Sequence, residues 1–290
     1  MTVTLTRATP RPRATPADFA RILGKLVLAG FLLGLVIIVV YPLLWMAISS
    51  LKSNAEVLSS PFSWPKSLDF GSYGRAFEQG VGSYLLNSVL VTVISVVLTT
   101  LLSAWAAFGL TRITIPFSNI ILMVIVGGLM LAPTVALIPL VRLLQSWGLY
   151  DTQWALILLY TAFRIPFTTF LIRSYMIDLP EDVDEAAVID GARHHQIFWR
   201  ITLPMCTPII ISAVILQILF AWNEFLFALV FIGDDNLKTL PVGLATLSSR
   251  AVTDFPAVFA GMTIAAIPMI LLFFLGQKYF VRGLSEGVGK

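Results

Sequence analysis

Long runs without a single charged residue dominate this chain of 290 residues, at positions 26–51, 79–111, 113–141, 201–223 and 255–277. Each run is long enough to cross about 30 Å of hydrocarbon as an α-helix. A further apolar stretch lies between Asp151 and Arg173, interrupted by Arg164. With 58% hydrophobic and 12% charged residues, the chain has more apolar surface than a soluble domain of this length could bury. The sequence therefore predicts an all-α polytopic membrane protein with six transmembrane helices.

The predicted transmembrane domain covers residues 22–290. Its spans are expected at about 24–51, 82–110, 117–144, 152–176, 204–232 and 256–281. Pro133 and Pro139 are expected to bend the third span, because proline removes a helical hydrogen-bond donor. Residues 1–21, rich in Thr, Pro, Ala and Arg, are predicted to form a disordered cytoplasmic arm.

The distribution of Lys and Arg indicates the orientation, because cytoplasmic segments of membrane proteins carry an excess of both. Most Lys and Arg residues fall on inside segments if the N-terminus is cytoplasmic. Both termini are therefore predicted to be cytoplasmic, and so is the polar segment 178–204. The formal net charge of +3 reflects this bias and gives no reason to expect binding to nucleic acid.

The segment 178–204 is a polar island between two apolar runs. Asp178 and Glu181 have the spacing of a capping box, which predicts a helix that begins at Pro180. Gly191 stands where this helix could end or turn sharply. The residues alone are compatible with a docking element and with an ordinary helix-turn-helix linker.

The island resembles, position for position, the EAA loop of the permease subunits of binding-protein-dependent ABC importers. Other segments are similar to the carbohydrate-importer branch of this family, and to its MalG-like subunit in particular. The matching residues of the loop are Glu185, Ala186, Ala187, Asp190, Gly191, Ala192, Phe198, Ile201, Leu203 and Pro204. The matching segments elsewhere are 87–88, 103–112, 133–134, 138–139, 222–225, 239–243 and 280–284. The resemblance implies the type I ABC importer permease fold.

The resemblance also implies a function. The chain would be the permease subunit of an ATP-driven sugar importer in a bacterial or archaeal inner membrane, surrounded by lipid and forming half of the translocation pathway. The implied partners are a homologous second permease, two copies of a nucleotide-binding ATPase subunit and an external solute-binding protein. By resemblance, the residues that dock onto the ATPase are Glu185, Ala186, Ala187, Asp190 and Gly191.

No Gly-x-x-x-x-Gly-Lys-Ser/Thr loop occurs in the sequence, so this chain lacks the phosphate-binding loop of an ATPase. ATP and magnesium are therefore expected on the partner ATPase. No catalytic residue and no cofactor are predicted for this chain. His194 and His195 are neighbours about 100° apart on a helix, and without a second cluster of ligands they predict no metal site.

Polar residues inside the predicted spans are the candidates for the substrate path, because a charge in hydrocarbon costs at least ~2.5 kcal/mol and usually faces a cavity. Amide and carboxylate groups can bind sugar hydroxyls, and aromatic rings can stack on a sugar face. For the Asn-Glu pair, contact between helices is an equal alternative, and Arg164 could instead pair with a carboxylate such as Glu224 or snorkel. The candidates are Asn87, Arg164, Trp222, Asn223, Glu224 and Phe225.

Two other functions remain open at this point. The EAA loop is also compatible with an ABC importer whose cargo is a non-sugar solute. An ion-coupled carrier or a channel would also place Glu and Arg within the membrane, but it would not need a docking loop. Internal inverted repeats, which many carriers show, are not evident in the two halves of the sequence.

Overall fold

The computed structural model describes residues 16–249 and 253–288, and describes side chains for 23–249 and 253–277. This part of the chain is helical throughout and contains no β-strand, as the sequence predicts. Short 3₁₀ turns lie at Gly128–Met130 and Asp235–Leu237, and a π-helical turn lies at Phe198–Thr202. The helices are α1 (Pro16–Ser49), α2 (Asn54–Ser59), α3 (Gly71–Glu78), α4 (Val81–Arg112), α5 (Ser118–Gly127), α6 (Pro133–Ser146), α7 (Gln153–Ile177), α8 (Asp182–Ile189), α9 (His194–Ile197), α10 (Leu203–Met205), α11 (Thr207–Asn223), α12 (Leu226–Phe231), α13 (Leu240–Ser248) and α14 (Phe255–Val288).

Four helices are each long and apolar enough to cross a membrane, namely α1, α4, α7 and α14. Two further candidates are bent. The segment from α5 to α6 bends by 99°, and the segment from His194 to Asn223 bends by 78°. Within the described residues there are thus four spans, or up to six if each bent segment counts as one. The polytopic all-α architecture is confirmed, whereas the count of six stays a prediction.

The first bend has the position that the prolines indicate. Helix α5 and its 3₁₀ turn end at Met130, and α6 begins at Pro133, whose missing N–H costs nothing in the first turn of a helix. The second proline, Pro139, lies inside α6. Only the first of the two prolines therefore marks the sharp change of direction.

Helix α1 begins at Pro16, within the segment predicted to be disordered. The predicted arm can therefore include only residues 1–15, which lie outside the described residues. None of the apolar window of α1 is buried against the rest of the chain, although α1 contacts α14. A helix that is apolar all round and unburied needs lipid or another protein around it.

The centre of the bundle is the long contact between α4 and α7. Small residues let two helices approach closely, and hydroxyl groups can hydrogen-bond between them. The Oγ of Ser103 donates to the carbonyl of Ile165 at 3.4 Å. A row of buried small residues runs along α4: Ser88, Thr92, Ser95, Thr99, Ser103 and Ala107.

The loops near the start of α14 are joined by charged side chains. Arg75 on α3 donates to Asp254 at 2.7 Å and to Asp69 at 3.1 Å. The hydrogen bond to Asp254 is the main reason why the pKa of Arg75 is raised above its usual value. Lys52 is fully buried and donates from Nζ to the carbonyl of Pro61 at 2.7 Å. These contacts fix the loop that follows α1.

The predicted start of the helix in the polar island is wrong. Helix α8 begins at Asp182, with Glu181 at its N-cap and no side-chain cap, and Asp178 is instead the C-cap of α7. The carboxylate of Glu181 pairs with Arg112 at 2.9 Å, so it does not form the capping box that the spacing predicted. A contact with a distant helix has overridden the local signal.

Candidate functional site

A cavity of about 190 Å³ lies in the centre of the helix bundle. Its walls come from α4, the turn after α5, α7, α11 and the start of α12. Most of the lining is apolar, with a few polar side chains among them: Ser95, Thr99, Tyr160, Arg164, Gln217 and Glu224. Such a lining is typical of a binding site for a small molecule. Two of the predicted substrate-path residues, Arg164 and Glu224, meet here.

Glu224 lies at a break between α11 and α12. Its Oε1 accepts from the backbone N–H of Phe227 at 2.8 Å, and its Oε2 accepts from the N–H of Ala228 at 3.2 Å. Tyr160 of α7 donates its hydroxyl to Oε2 at 2.7 Å. A carboxylate is a favourable cap because it satisfies N–H groups at the positive end of a helix. Glu224 thus joins α12 to α7, which favours the helix-contact alternative for this residue.

Arg164 also lines the cavity from α7, one helical turn after Tyr160. Its guanidinium carbon is 3.5 Å from the centre of the Phe220 ring, a cation–π contact worth about 0.5–2 kcal/mol. Among the described ion pairs there is none between Arg164 and Glu224. The expected alternative, a direct ion pair with Glu224, is therefore not found. The ring holds the guanidinium at the cavity wall.

The neighbours of Glu224 in sequence point elsewhere. Trp222 is buried, and its Nε1 donates to the carbonyl of Ala265 on α14 at 3.3 Å. Asn223 donates from Nδ2 to the carbonyl of Leu219 at 2.7 Å. Phe225 is 40% exposed and lies with Asn223 along a more open groove beside the cavity. The structure thus places Trp222 away from the cavity, whereas Asn223 and Phe225 line an adjoining groove that shares Arg164, Phe220 and Glu224 with it.

Asn87, the remaining predicted candidate, connects loops at one end of the bundle. Its Nδ2 donates to the carbonyls of Asn236 and Lys238, at 2.7 and 3.0 Å. Its Oδ1 accepts from Gln153 at 2.7 Å. These bonds occupy the amide, so Asn87 joins α4 to the start of α7 and to the segment before α13.

Sequence reasoning missed four polar residues of the cavity wall, namely Ser95, Thr99, Tyr160 and Gln217. Gln217 is buried and donates to the hydroxyl of Thr168 at 2.5 Å. All four residues lie within otherwise apolar stretches. The same signal that selected Asn87, a hydrogen-bonding group in an apolar span, would have found them.

The predicted docking residues lie together on α8 and the turn that follows it. Glu185 and Ala186 are exposed, and Ala187 is half-buried. Two apolar side chains beside them are exposed as well, Val188 at 53% and Ile189 at 86%. No residue of α8 is buried within the described part of the chain. A polar and apolar surface of this kind is suited to contact with another protein.

Gly191 ends α8 in a Schellman motif. Its φ is +82°, its N–H donates to the carbonyl of Val188 at 3.0 Å, and the N–H of Ala192 donates to the carbonyl of Ala187 at 2.9 Å. A Cβ added at Gly191 would meet no atom within 4 Å. Glycine is therefore needed here for the backbone conformation and not for space.

His194 and His195 form the first turn of α9, and both are exposed. Among the described residues no group of three or more His, Cys, Asp or Glu side chains is placed to hold a metal ion. The two histidines are part of the surface next to α8.

Comparison with known proteins identifies relatives over most of the chain. Residues 101–286 match the family described as "Binding-protein-dependent transport system inner membrane component". The "Probable ABC transporter permease protein YurM" of Bacillus subtilis is 46% identical over 257 residues, which cover 89% of this chain and 86% of that protein. The "Diacetylchitobiose uptake system permease protein NgcG" of Streptomyces coelicolor is 38% identical, over 87% of this chain and 84% of that protein.

The fold is also similar to that of a solved structure. One chain of a bacterial ABC transporter involved in the import of the acidic polysaccharide alginate superposes with a TM-score of 0.79. The two chains are 24% identical, and the match covers 93% of this chain and 99% of that one. The resemblance to MalG-like importer permeases that the sequence indicates is thereby confirmed. The chain belongs to the binding-protein-dependent transport system inner membrane components, the permease subunits of ABC transporters.

Proposed function

We propose that this chain is one permease subunit of an ATP-driven sugar importer and forms half of its translocation pathway. The observation that carries the proposal is the cavity in which Arg164, Tyr160, Gln217 and Glu224 meet beside the ring of Phe220. Sugars combine hydroxyl groups with apolar ring faces, and this lining offers both hydrogen-bonding groups and an aromatic surface. Relatives named for diacetylchitobiose and alginate support a sugar as the cargo.

The proposal includes six spans, with each bent segment counted as one, and both termini in the cytoplasm. The excess of Lys and Arg on the inside segments supports this orientation. It places α8 on the cytoplasmic side, where its exposed residues Glu185, Ala186 and Ile189 would contact a nucleotide-binding ATPase. That ATPase, in two copies, would bind ATP and magnesium.

The proposed mechanism divides the work between the cavity and α8. A homologous second permease completes the pathway, and an external solute-binding protein delivers the sugar. Closure of the ATPase subunits around ATP moves α8 and turns the cavity outward, and hydrolysis resets it. Within the cavity Arg164 donates to sugar hydroxyls, while Glu224 keeps α12 in place. Because Glu224 caps α12 and also bonds to Tyr160, it holds the break between α11 and α12 in place at the cavity wall.

The proposal is tested by purifying this chain together with the products of its neighbouring genes in mild detergent. Mass spectrometry should find a second permease and an ATPase with a phosphate-binding loop. The complex is then reconstituted in proteoliposomes and screened for binding-protein-dependent ATP hydrolysis, with diacetylchitobiose, maltose and alginate oligosaccharides as probes. A stable chain that transports solute without an ATPase would contradict the proposal and favour a carrier or channel. ATP-driven uptake of a non-sugar solute alone would contradict the sugar assignment.

Replacing Arg164 by methionine is expected to weaken sugar uptake while the complex still assembles. Methionine keeps an unbranched side chain that can contact Phe220, but it lacks the guanidinium donors. Loss of one or two hydrogen bonds from a charged donor corresponds to a rise in KM of about tenfold or more. Uptake kinetics and co-purification of the ATPase measure the two effects. Reduced assembly, with an unchanged KM in the complex that still forms, would show that Arg164 is structural.

A further inference from the structure

Arg112 is the last residue of α4, and its side chain is only 5% exposed. Its Nη1 lies 2.9 Å from Oε1 of Glu181, and its Nε lies 2.8 Å from Oδ2 of Asp184. Its Nη2 donates to the carbonyl of Leu179 at 3.0 Å. One guanidinium therefore holds the segment that leads into α8 and the first turn of α8 itself.

Asp184 connects a third element to this contact. Its side chain is 15% exposed, and its Oδ1 accepts from the hydroxyl of Thr202 in the π-helical turn at 3.3 Å. A carboxylate with so little access to water depends on its charged partner, since an unpaired charge in such a place is strongly unfavourable. Arg112, Asp184 and Thr202 thus link α4, α8 and the segment that leads into α11.

Apolar packing contributes little to the position of α8. None of its residues is buried, and a cleft of about 160 Å³ lies between α8 and the end of α4. The cleft is lined on the α4 side by Phe108, Thr111 and Arg112, and on the α8 side by residues that include Val188. The half-buried Ala187 packs against the nearby apolar core, and the charge contacts to Arg112 add a direct link between α8 and α4.

Helix α4 continues from Arg112 to the cavity without a break. Ser95 and Thr99 of α4 line the cavity, and Thr99 lies about 20 Å along the helix axis from Arg112 at 1.5 Å per residue. An unbroken helix over this distance moves as a rigid element. A displacement of α8 that acts on Arg112 therefore acts on the cavity wall.

We propose that Arg112 is a positioning residue that clamps α8 to α4 through Glu181 and Asp184 and so transmits movement of α8 to the cavity. The clamp rests on the proposed function, in which α8 receives the ATPase. Arg112 is nearly buried, so it acts through α8 and not by touching the ATPase. The guanidinium suits this role because it donates to Glu181 and to the carbonyl of Leu179 while its charge lies next to the carboxylate of Asp184.

The first test uses the complete complex in proteoliposomes. Arg112→Met is expected to retain the bound ATPase and its ATP hydrolysis, but to lower uptake per ATP hydrolysed by about tenfold. The sugar is the one that stimulates ATP hydrolysis by the wild-type complex in the screen described above and is accumulated by that complex. For Arg112→Lys, the uptake per ATP hydrolysed should lie between the values of the wild type and Arg112→Met. The ammonium group of lysine keeps the charge but lacks the planar fork of the guanidinium. The control is Arg142→Met, which removes an exposed arginine on α6 that is in no described ion pair.

The second test measures the position of α8 directly and needs no sugar. Nitroxide labels are attached at Val188→Cys on α8 and Val97→Cys on α4, both exposed sites, in a Cys206→Ala background. Pulsed electron paramagnetic resonance should give a narrow distance distribution with wild-type Arg112 and a broad one with Arg112→Met. If the wild-type complex accumulates no sugar, the proposed function fails. The distance between the labels on α8 and α4 still tests whether Arg112 holds α8 to α4.

A charge exchange separates the ion pair from a general structural role. The exchange is made with Glu181→Gln, so that in the exchanged pair no carboxylate faces the new one. In this background Arg112→Glu alone should lose coupling, and Arg112→Glu combined with Asp184→Arg should recover most of it and restore the narrow distance. An Arg112→Met variant with wild-type coupling and a narrow distance would overturn the proposal. Loss in the single variants without recovery in the exchanged pair would overturn it as well, because the contact would then not depend on opposite charge.

Discussion

Glu224→Leu is expected to destabilise the permease and to abolish uptake. The substitution leaves the hydroxyl of Tyr160 and the N–H groups of Phe227 and Ala228 without their acceptor. Each buried polar group left unpaired costs about 1–3 kcal/mol, so the total is expected to reach several kcal/mol. Helix α12 would lose its cap, and the cavity wall would lose its fixed end. Thermal unfolding in detergent, followed by size-exclusion chromatography, measures the loss of stability.

The matched control is Glu224→Gln. The amide oxygen of glutamine can still accept from the start of α12, although it carries no charge, so the expected loss of stability is only about 1 kcal/mol. Uptake should be reduced but measurable. If Glu224→Leu were as stable as the wild type and changed only the KM for the sugar, Glu224 would be a substrate contact and not the cap of α12.

Gly191→Val is expected to uncouple the ATPase from the permease while membrane insertion stays normal. A left-handed conformation costs a non-glycine residue about 1–2 kcal/mol, and a β-branched residue is still less tolerated there. A Cβ at this position meets no other atom within 4 Å, so the expected effect is on the backbone conformation. The Schellman turn would open, and the exposed residues of α8 would change direction. Co-purification of the ATPase and binding-protein-stimulated ATP hydrolysis measure the result.

Gly191→Asn is the control for this experiment, because asparagine adopts positive φ more readily than other non-glycine residues. It should retain most of the coupling, and Gly191→Ala should fall between the two. Equal coupling in the valine and asparagine variants would contradict the prediction. The coupling would then not depend on how readily the residue at position 191 adopts positive φ.

The helices that cross the bundle could be predicted well from charge-free runs, because a long apolar segment has few ways to satisfy its backbone in a membrane other than as a helix. The interruptions were harder to predict. Pro133 marks the first bend, as expected. The break at Glu224 depends on a hydrogen bond from Tyr160, which lies 64 residues earlier in the chain. Hydropathy contains no information about such a contact.

The candidate site could be predicted only in part, again because contacts between distant parts of the chain are not visible in the sequence. Residues 222–225 were grouped because they are adjacent, yet α11 ends at Asn223 and the backbone is extended at Glu224. Trp222 therefore faces α14, whereas Glu224 faces the cavity. In the sequence, Arg112 counted as one of the positive charges on the inside and as the end of the matching segment 103–112, with no partner assigned. Its partners Glu181 and Asp184 are far away in the chain, and only the fold brings them together.

The bend between α5 and α6 has a chemical consequence for the cavity. The turn that ends α5 contributes Gly128 and Leu129 to the lining. Gly128 has no side chain, so its contribution to the cavity wall is main chain. Main-chain atoms are common to every amino acid, so they are retained when side chains change. Part of the cavity surface is thus encoded by the path of the main chain, and a comparison of side chains alone would overlook it.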